Sequence, residues 1–262
     1  MDFRVCTLAS GSSGNAYYVE HDGAALLVDA GLTGKRLLEN LRRVGGRPEK
    51  VVAVLVTHDH HDHVGCAGVW HRKHGWPLWM TAGTWQRAEH RLGAVAGPRG
   101  RLKAGSGLLA GGFRVECHAT PHDAAEPVGF VVERGRSRCG ILTDLGCCFP
   151  ELGPLLGTLD GVFLESNYNA ARLAANRNYS AALKRRIVSG RGHLENRQTG
   201  ALLRDHAGER LRAVMLSHLS EQNNDPHLAW TEVSALAGET LRARGATLSV
   251  APRHDPGPWL VF

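Results

Sequence analysis

The chain has 262 residues, 43% of them hydrophobic, with a formal net charge of +6 and a pI near 9.2. That length buries a sizeable core, and with no polar or Pro-rich linker it favours one domain spanning residues 1–262. No apolar stretch reaches the 18 or so residues that span a bilayer, the amino terminus lacks a signal peptide's apolar core, and six scattered cysteines without a CxxC pair exclude a disulfide framework. The expectation is therefore a cytoplasmic protein with reduced thiols and no membrane partner. Its positive charge favours an anionic partner. The cations are 26 Arg and 5 Lys; the planar guanidinium suits phosphate oxygens, although a GC-rich coding sequence also enriches Arg.

Phe3 to Ala9 reads as a first strand, followed by the turn-rich Ser10-Gly11-Ser12-Ser13-Gly14-Asn15, whose backbone N–H groups could face an anion or simply close a hairpin. Strands at Ala16–Glu20 and Ala24–Val28 come next, the second ending at Asp29. A helix over Thr33–Val44, capped by Thr33, sets Leu37, Leu38 and Leu41 on one face. Val51 to Val56 is short, β-branched and uncharged, as a buried strand reads.

That strand runs into Thr57-His58-Asp59-His60-His61-Asp62-His63, four imidazoles and two carboxylates in seven residues. In extended backbone, His58 and His60 project to the same side. If the chain then turns, Asp62 and His63 can serve a second cation about 3.5 to 4 Å from the first, the spacing of a hydrolytic pair. A solvated His-rich turn is the plainer alternative, but it does not explain the buried strand before it. His61 fits an exposed side chain best.

A helix over Val64–His74 follows, with His71 and His74 as surface residues. A strand at Pro77–Met80 and a helix around Thr84–Arg91 precede Gly93–Gly112, which carries no periodic signal. The strand Phe113–Thr120 leads to His122, a third imidazole at a strand end. Val128–Glu133 and Cys139–Leu142 read as a hairpin around Gly135 that ends at Asp144, a carboxylate placed to bridge two cations or merely to serve a turn. Cys147 and Cys148 read as small buried hydrophobes rather than metal-facing thiols. Gly161–Asn167 is another strand, Tyr179–Ser189 a helix, and Leu211–Leu216 a strand that ends at His218. Pro226 opens a long helix to about Arg244, and Thr247–Ala251 closes the sheet. Strand ends thus supply Asp29, the His cluster, His122, Asp144 and His218, and in open α/β sheets ligands gather at carboxyl ends of strands.

His58-x-His60-x-Asp62-His63 resembles the metal motif of the metallo-β-lactamase superfamily. The resemblance implies an α/β fold, a four-layer αββα sandwich, with Asp29 supporting the metal site from behind and Asp144 bridging. It implies two divalent metal ions, zinc or manganese: one on His58, His60 and His122, the other on Asp62, His63 and His218. The long insertion of β-CASP nucleases is missing. Leu8 to Asn15, His122-Asp123-Ala124, Glu165-Ser166-Asn167, Gly192-His193-Leu194 with Asn196, and Ser217-His218-Leu219-Ser220 with Asn223-Asn224 are together similar to the WalJ/YycJ family.

This narrower resemblance implies a phosphodiesterase, in the form of a DNA exonuclease, with nucleic acid as partner and DNA favoured over RNA. Asp62 and His193 are its expected catalytic residues, His193 donating to a substrate phosphate or the leaving oxygen. Two positions depart from the pattern: Tyr168-Asn169 stands where His-Asp is expected, and Glu195 where Ser is expected. The metal motif by itself is equally compatible with hydrolysis of a thioester, lactam or cyclic phosphodiester. Oligomeric state has no signature in the sequence.

Overall fold

A computed structural model describes residues 2–262; Met1, where the amino-terminal segment read above begins, lies outside them. The strands are β1 (Arg4–Ala9), β2 (Ala16–His21), β3 (Ala24–Val28), β4 (Val51–Leu55), β5 (Leu78–Thr81), β6 (Arg99–Leu102), β7 (Gly107–Ala110), β8 (Phe113–Ala119), β9 (Val128–Arg134), β10 (Ser137–Leu142), β11 (Gly161–Glu165), β12 (Ala213–Ser217), β13 (Thr247–Val250) and β14 (Leu260–Val261). The helices are α1 (Gly34–Arg43), α2 (His61–Val64), α3 (Ala67–His74), α4 (Ala82–Leu92), α5 (Leu152–Leu156), α6 (Ala170–Ala175), α7 (Ala181–Ile187), α8 (Asn196–His206) and α9 (Pro226–Ala243). Among the described residues, no helix is long and apolar enough to cross a membrane. Two compact units divide the chain: residues 1–119, 124–137 and 252–262 form the first, and 120–123 with 138–251 the second.

In the first unit seven strands pair in the order β14-β1-β2-β3-β4-β5-β6. β1, β2 and β3 run antiparallel, and β3, β4, β5 and β6 run parallel. β7, β8 and β9 form an antiparallel meander in the same unit. α1 follows the expected rules: the Thr33 hydroxyl accepts from Arg36 N, and Arg42 and Arg43 occupy the last turn, where the helix dipole favours cations. It buries Leu37 and Leu41 in a core with Leu8, Tyr18, Leu27, Val54 and Trp70. Each such leucine contributes about 1.5–3 kcal/mol by leaving water.

The second unit holds four parallel strands in the order β10-β11-β12-β13. Ile141, Leu142, Val162, Phe163, Leu164, Val214, Met215 and Leu216 are all fully buried, the continuous apolar run expected of parallel strands covered on both faces. In this register Leu142 is level with Leu164, and Glu165 with Ser217. The residues just beyond these three strand ends therefore lie side by side. α9 is capped by the Asp225 carboxylate, which accepts from Leu228 N at 2.8 Å, and has Pro226 at its first position.

Several elements differ from the sequence expectations. β6 and β7 occupy the stretch without a periodic signal, and α5, α6 and β14 are additional. The helix expected over Val64–His74 is two pieces, α2 beginning already at His61. The break has a cause: Cys66 N bonds to Ala30 O at 2.8 Å, outside any helix, so the chain is pulled off the helical path there. His71 is not a surface residue. It is 4% exposed, its Nδ1 bonding to Trp76 O at 2.8 Å and its Nε2 accepting from Gly97 N at 3.1 Å. Cys148 is exposed and Cys147 half-buried, so neither is the buried hydrophobe expected.

Candidate metal centre

In the first unit the cluster begins where β4 ends. Asp29, just past the neighbouring β3, is fully buried and held at φ +61°, a left-handed conformation that few non-glycine residues adopt. Its Oδ1 accepts from Thr57 N at 2.8 Å and its Oδ2 faces His63 Nδ1 at 2.7 Å. The Thr57 hydroxyl lies 2.9 Å from Asp29 Oδ2 and 3.0 Å from His58 Nδ1. A hydroxyl carries one proton, so donation to the carboxylate makes it the acceptor for His58 Nδ1–H. Both rings thus have Nδ1 protonated, an assignment drawn from their partners, and both leave Nε2 as the unprotonated nitrogen that could hold a metal ion. Burial pushes the Asp29 carboxyl above its ordinary value, with the His63 and Thr57 donors opposing it.

The rings of His58 and His60 lie 4.7 Å apart, and those of His58 and His63 4.1 Å. Asp62 Oδ2 is 3.5 Å from His63 Nε2. The Asn15 amide ties the Ser10–Asn15 loop to this turn: its Nδ2 is 3.0 Å from His63 Nε2, and its Oδ1 accepts from Gly11 N at 2.8 Å. Gly14 N bonds to Gly11 O, and Asn15 N to Asp62 O. These N–H groups are spent inside the loop and on the histidine-rich turn, so the loop braces that turn. Gly31 is required beside it, because a Cβ there would overlap the Asp62 carbonyl. The two carboxylates of the motif part company: Asp59 Oδ1 instead accepts from Ala125 N at 2.9 Å. His61 is exposed, as expected.

In the second unit the ends of β10, β11 and β12 carry Asp144, Glu165 and His218. Asp144 and His218 sit at φ +57° and +58°. Three of the five non-glycine residues with positive φ among the described residues, counting Asp29, are therefore at expected metal-site positions, where strain commonly concentrates. Glu165 is fully buried and takes four donors: Oε1 from His193 Nδ1 at 2.8 Å and His218 Nδ1 at 3.0 Å, Oε2 from Leu145 N at 2.7 Å and Leu194 N at 3.2 Å. Burial raises its pKa, but the His193 charge and the donors from both rings outweigh that and leave the carboxyl below its ordinary range. One carboxylate thus orients two imidazoles. The sequence reading left Glu165 without a role, although its place at a strand end level with Asp144 and His218 was a signal for one.

His122 is fixed by a bond from Nδ1 to Gly192 O at 2.9 Å, while Arg191 Nη2 donates to the His122 carbonyl at 3.1 Å. Gly146 N bonds to Pro121 O at 2.7 Å, and a Cβ on Gly146 would overlap that carbonyl and the Arg191 backbone. With Nδ1 protonated, His122 turns an electron-rich Nε2 toward Asp123 Oδ1 at 3.4 Å and Asp144 Oδ1 at 3.6 Å. Acceptors converging in this way suit a cation among them. Asp144, Glu165, His193 and His218 also each offer a donor atom within 4.8 Å of the others. The residues of both units therefore fit a divalent metal, and imidazole with carboxylate is a donor set for zinc or manganese.

The two departures from the family pattern have structural roles. Asn169 caps α6 by accepting from Arg172 N at 2.8 Å and donates to Glu232 Oε1 at 2.9 Å. Glu195 caps α8 in a reciprocal box with Gln198, a task a serine also performs. The buried Asn196 and Asn224 amides bond to each other and to the Ser166 and Asn167 segment, clamping the loops that carry Glu165 and His193.

The sequence model of the Metallo-beta-lactamase superfamily matches residues 9–193. The chain is 35% identical over 243 residues to the exodeoxyribonuclease WalJ of Streptococcus pneumoniae, covering 91% of this chain and 90% of that protein. It is 31% identical over 259 residues to the exodeoxyribonuclease YycJ of Bacillus anthracis, covering 98% and 97%. In structure it is similar to the metallo-beta-lactamase fold protein YhfI of Bacillus subtilis, with TM-score 0.73, 16% identity and 98% of both chains covered. The Zn-bound PqqB of Methylobacterium extorquens aligns at TM-score 0.72 and 17% identity, over 98% of this chain and 99% of the other.

Proposed function

The chain belongs to the metallo-β-lactamase superfamily, with its layered αββα sandwich fold, and within it to the WalJ/YycJ family, and from that membership we propose that it is a metal-dependent exodeoxyribonuclease. The observation that carries this reading is the near full-length identity of 31–35% to two exodeoxyribonucleases. The basic charge, +6, agrees with a polyanionic substrate. The whole of residues 1–262 acts as one catalytic domain, working on DNA in the cytoplasm.

The proposed ligands are His58, His60 and His122 for one ion and Asp62, His63 and His218 for a second, with Asp144 shared. Two divalent cations bound there would supply a hydroxide nucleophile at neutral pH and neutralise charge developing on the phosphate. The protein's own part is orientation. Asp29, directly and through Thr57, holds His63 and His58 with Nε2 presented; Glu165 does the same for His218 and His193. His193, anchored at Nδ1, keeps its other nitrogen for a substrate phosphate or the leaving oxygen, and Asp62 serves as a ligand beside the nucleophile.

The test is incubation of the metal-loaded protein with 5′-labelled single- and double-stranded DNA and RNA. DNA should shorten from an end, at a rate that falls steeply with salt as phosphate contacts are screened. No cleavage above that of an Asp62→Ala, His63→Ala double variant refutes the reading. Salt-independent turnover of a small thioester or lactam instead would replace it with a small-molecule hydrolase.

A further inference from the structure

Between Arg172 and Arg197 the chain carries seven basic residues and one acid, Glu195. Several of these cations have structural partners: Arg172 pairs with Asp225, Arg186 with Asp123, and Lys184 Nζ donates to Ala174 O at 2.6 Å. Arg177, Arg185 and Arg197 are exposed. In the middle of this basic stretch lies a cleft of about 390 Å³. Tyr168, Leu173, Ala174 and Val188 form its apolar walls, and Lys184, Arg185 and Glu195 its polar ones.

Two features set this cleft apart from an ordinary surface groove. Val188, 56% exposed, is one of only a few large hydrophobic side chains left open to water among the described residues, and here it shares the cleft lining with Lys184 and Arg185. The cleft also lies in the same unit as Glu165 and His193. Tyr168 and Glu195 form a parallel bridge, and they stand three residues beyond Glu165 and two beyond His193, the pair joined at 2.8 Å. At no more than about 3.6 Å per residue, the cleft wall begins within about 7 to 11 Å of His193 and Glu165. An apolar slot beside cations is the chemistry that receives a nucleobase while its backbone phosphate is held at the rim.

We propose that this cleft seats the base of a nucleotide one or two positions along the strand from the bond being cut, with Arg185 at its rim holding that nucleotide's phosphate. The inference rests on the nuclease reading and deepens it: the site would grip unpaired DNA by a base inserted between α6 and α7, without reading its identity. Occupancy of the slot would set the distance from the chain end to the reactive phosphate.

The test uses the full-length, metal-loaded protein and single-stranded oligonucleotides whose terminal linkages are phosphorothioates that resist cleavage. Binding is followed by fluorescence anisotropy for a complete oligonucleotide and for versions with an abasic residue at the second or third position from either end. Wild type should lose at least about fivefold in affinity for one of the abasic versions, the scale of one base contact. Ala174→Trp, which fills the cleft from an exposed position, should weaken the complete oligonucleotide and reduce that discrimination to below about twofold. Arg185→Ala should weaken all versions alike. Melting temperature and metal content show whether each variant is folded, and Arg185→Ala carries the test if Ala174→Trp is not. Equal affinity for complete and abasic strands, or discrimination that survives Ala174→Trp, overturns the pocket while leaving cleavage at the metal centre intact. No binding or cleavage of DNA at all overturns the nuclease reading itself.

Discussion

Glu165→Gln removes one charge and no volume from a fully buried group that touches both His193 and His218. The carboxylate accepts four N–H donors, two on each oxygen. An amide keeps one oxygen and turns an NH₂ toward the other two donors in either orientation. Two charge-assisted bonds of about 1.5–3 kcal/mol each are lost, about 3–6 kcal/mol in a dry site. The 22% exposure of the His193 side chain admits water and favours the lower end. A domain with about 5–15 kcal/mol of stability survives this, so the variant should fold with a lower melting temperature. Its metal affinity should fall about 10- to 100-fold, the usual effect of removing a group that orients a ligand. Chelator competition with zinc measures the affinity, and ¹⁵N chemical shifts of the imidazoles report whether His193 and His218 keep Nδ1 protonated. Unchanged metal affinity together with unchanged tautomers would refute the orienting role.

Gly31→Ala, which touches no ligand side chain, should cost about 1–3 kcal/mol of stability as Asp62 is pushed aside and weaken metal binding in the same chelator assay; wild-type affinity would show that the turn tolerates the shift. Asp225→Ala should cost about 1 kcal/mol by uncapping α9. The Leu228 N–H, and after it Arg172, hold the Asp225 carboxyl below its ordinary value. Its contribution is therefore present above the unfolded pKa of about 3.9 and is lost as pH falls through the lower folded value. The stability gap between wild type and variant, read by denaturant melts, should close on acidification below pH 4, and a gap that widens there would contradict the capping role. Cys148, exposed but with its thiol pushed up by burial and by Cys147, should alkylate slowly at pH 7.5 and before Cys6, Cys117 and Cys139. Mass spectrometry of iodoacetamide-treated protein gives the order.

The histidine-rich turn was legible because it follows an apolar strand directly, and the same pattern exposed Asp29, Asp144 and His218 at strand ends. Capping residues such as Thr33 and the Pro226 helix start were legible for equally local reasons. The remainder depends on partners far away in the chain. Glu165 collects donors from Leu145, His193, Leu194 and His218, and nothing next to it in sequence announces them. His71 looked exposed because its neighbours are basic, yet backbone groups of Trp76 and Gly97 satisfy both ring nitrogens. β6 (Arg-Gly-Arg-Leu) buries only Leu102, and β7 is four residues with no polar alternation, so neither carries the period that marks a strand. The Tyr168 and Glu195 departures were visible, but their service as a cap and a cleft wall appears only in three dimensions.

The most direct measurement of the central claim is a metal titration of the metal-stripped protein against an end-labelled DNA strand, with elemental analysis at each point. Shortening of the strand from one end should be absent without metal, rise with added zinc or manganese, and saturate at two ions per chain, while the Asp62→Ala, His63→Ala variant stays inactive throughout. Exonuclease activity that persists at full strength in the stripped protein, or that is equal in the double variant, would contradict that claim.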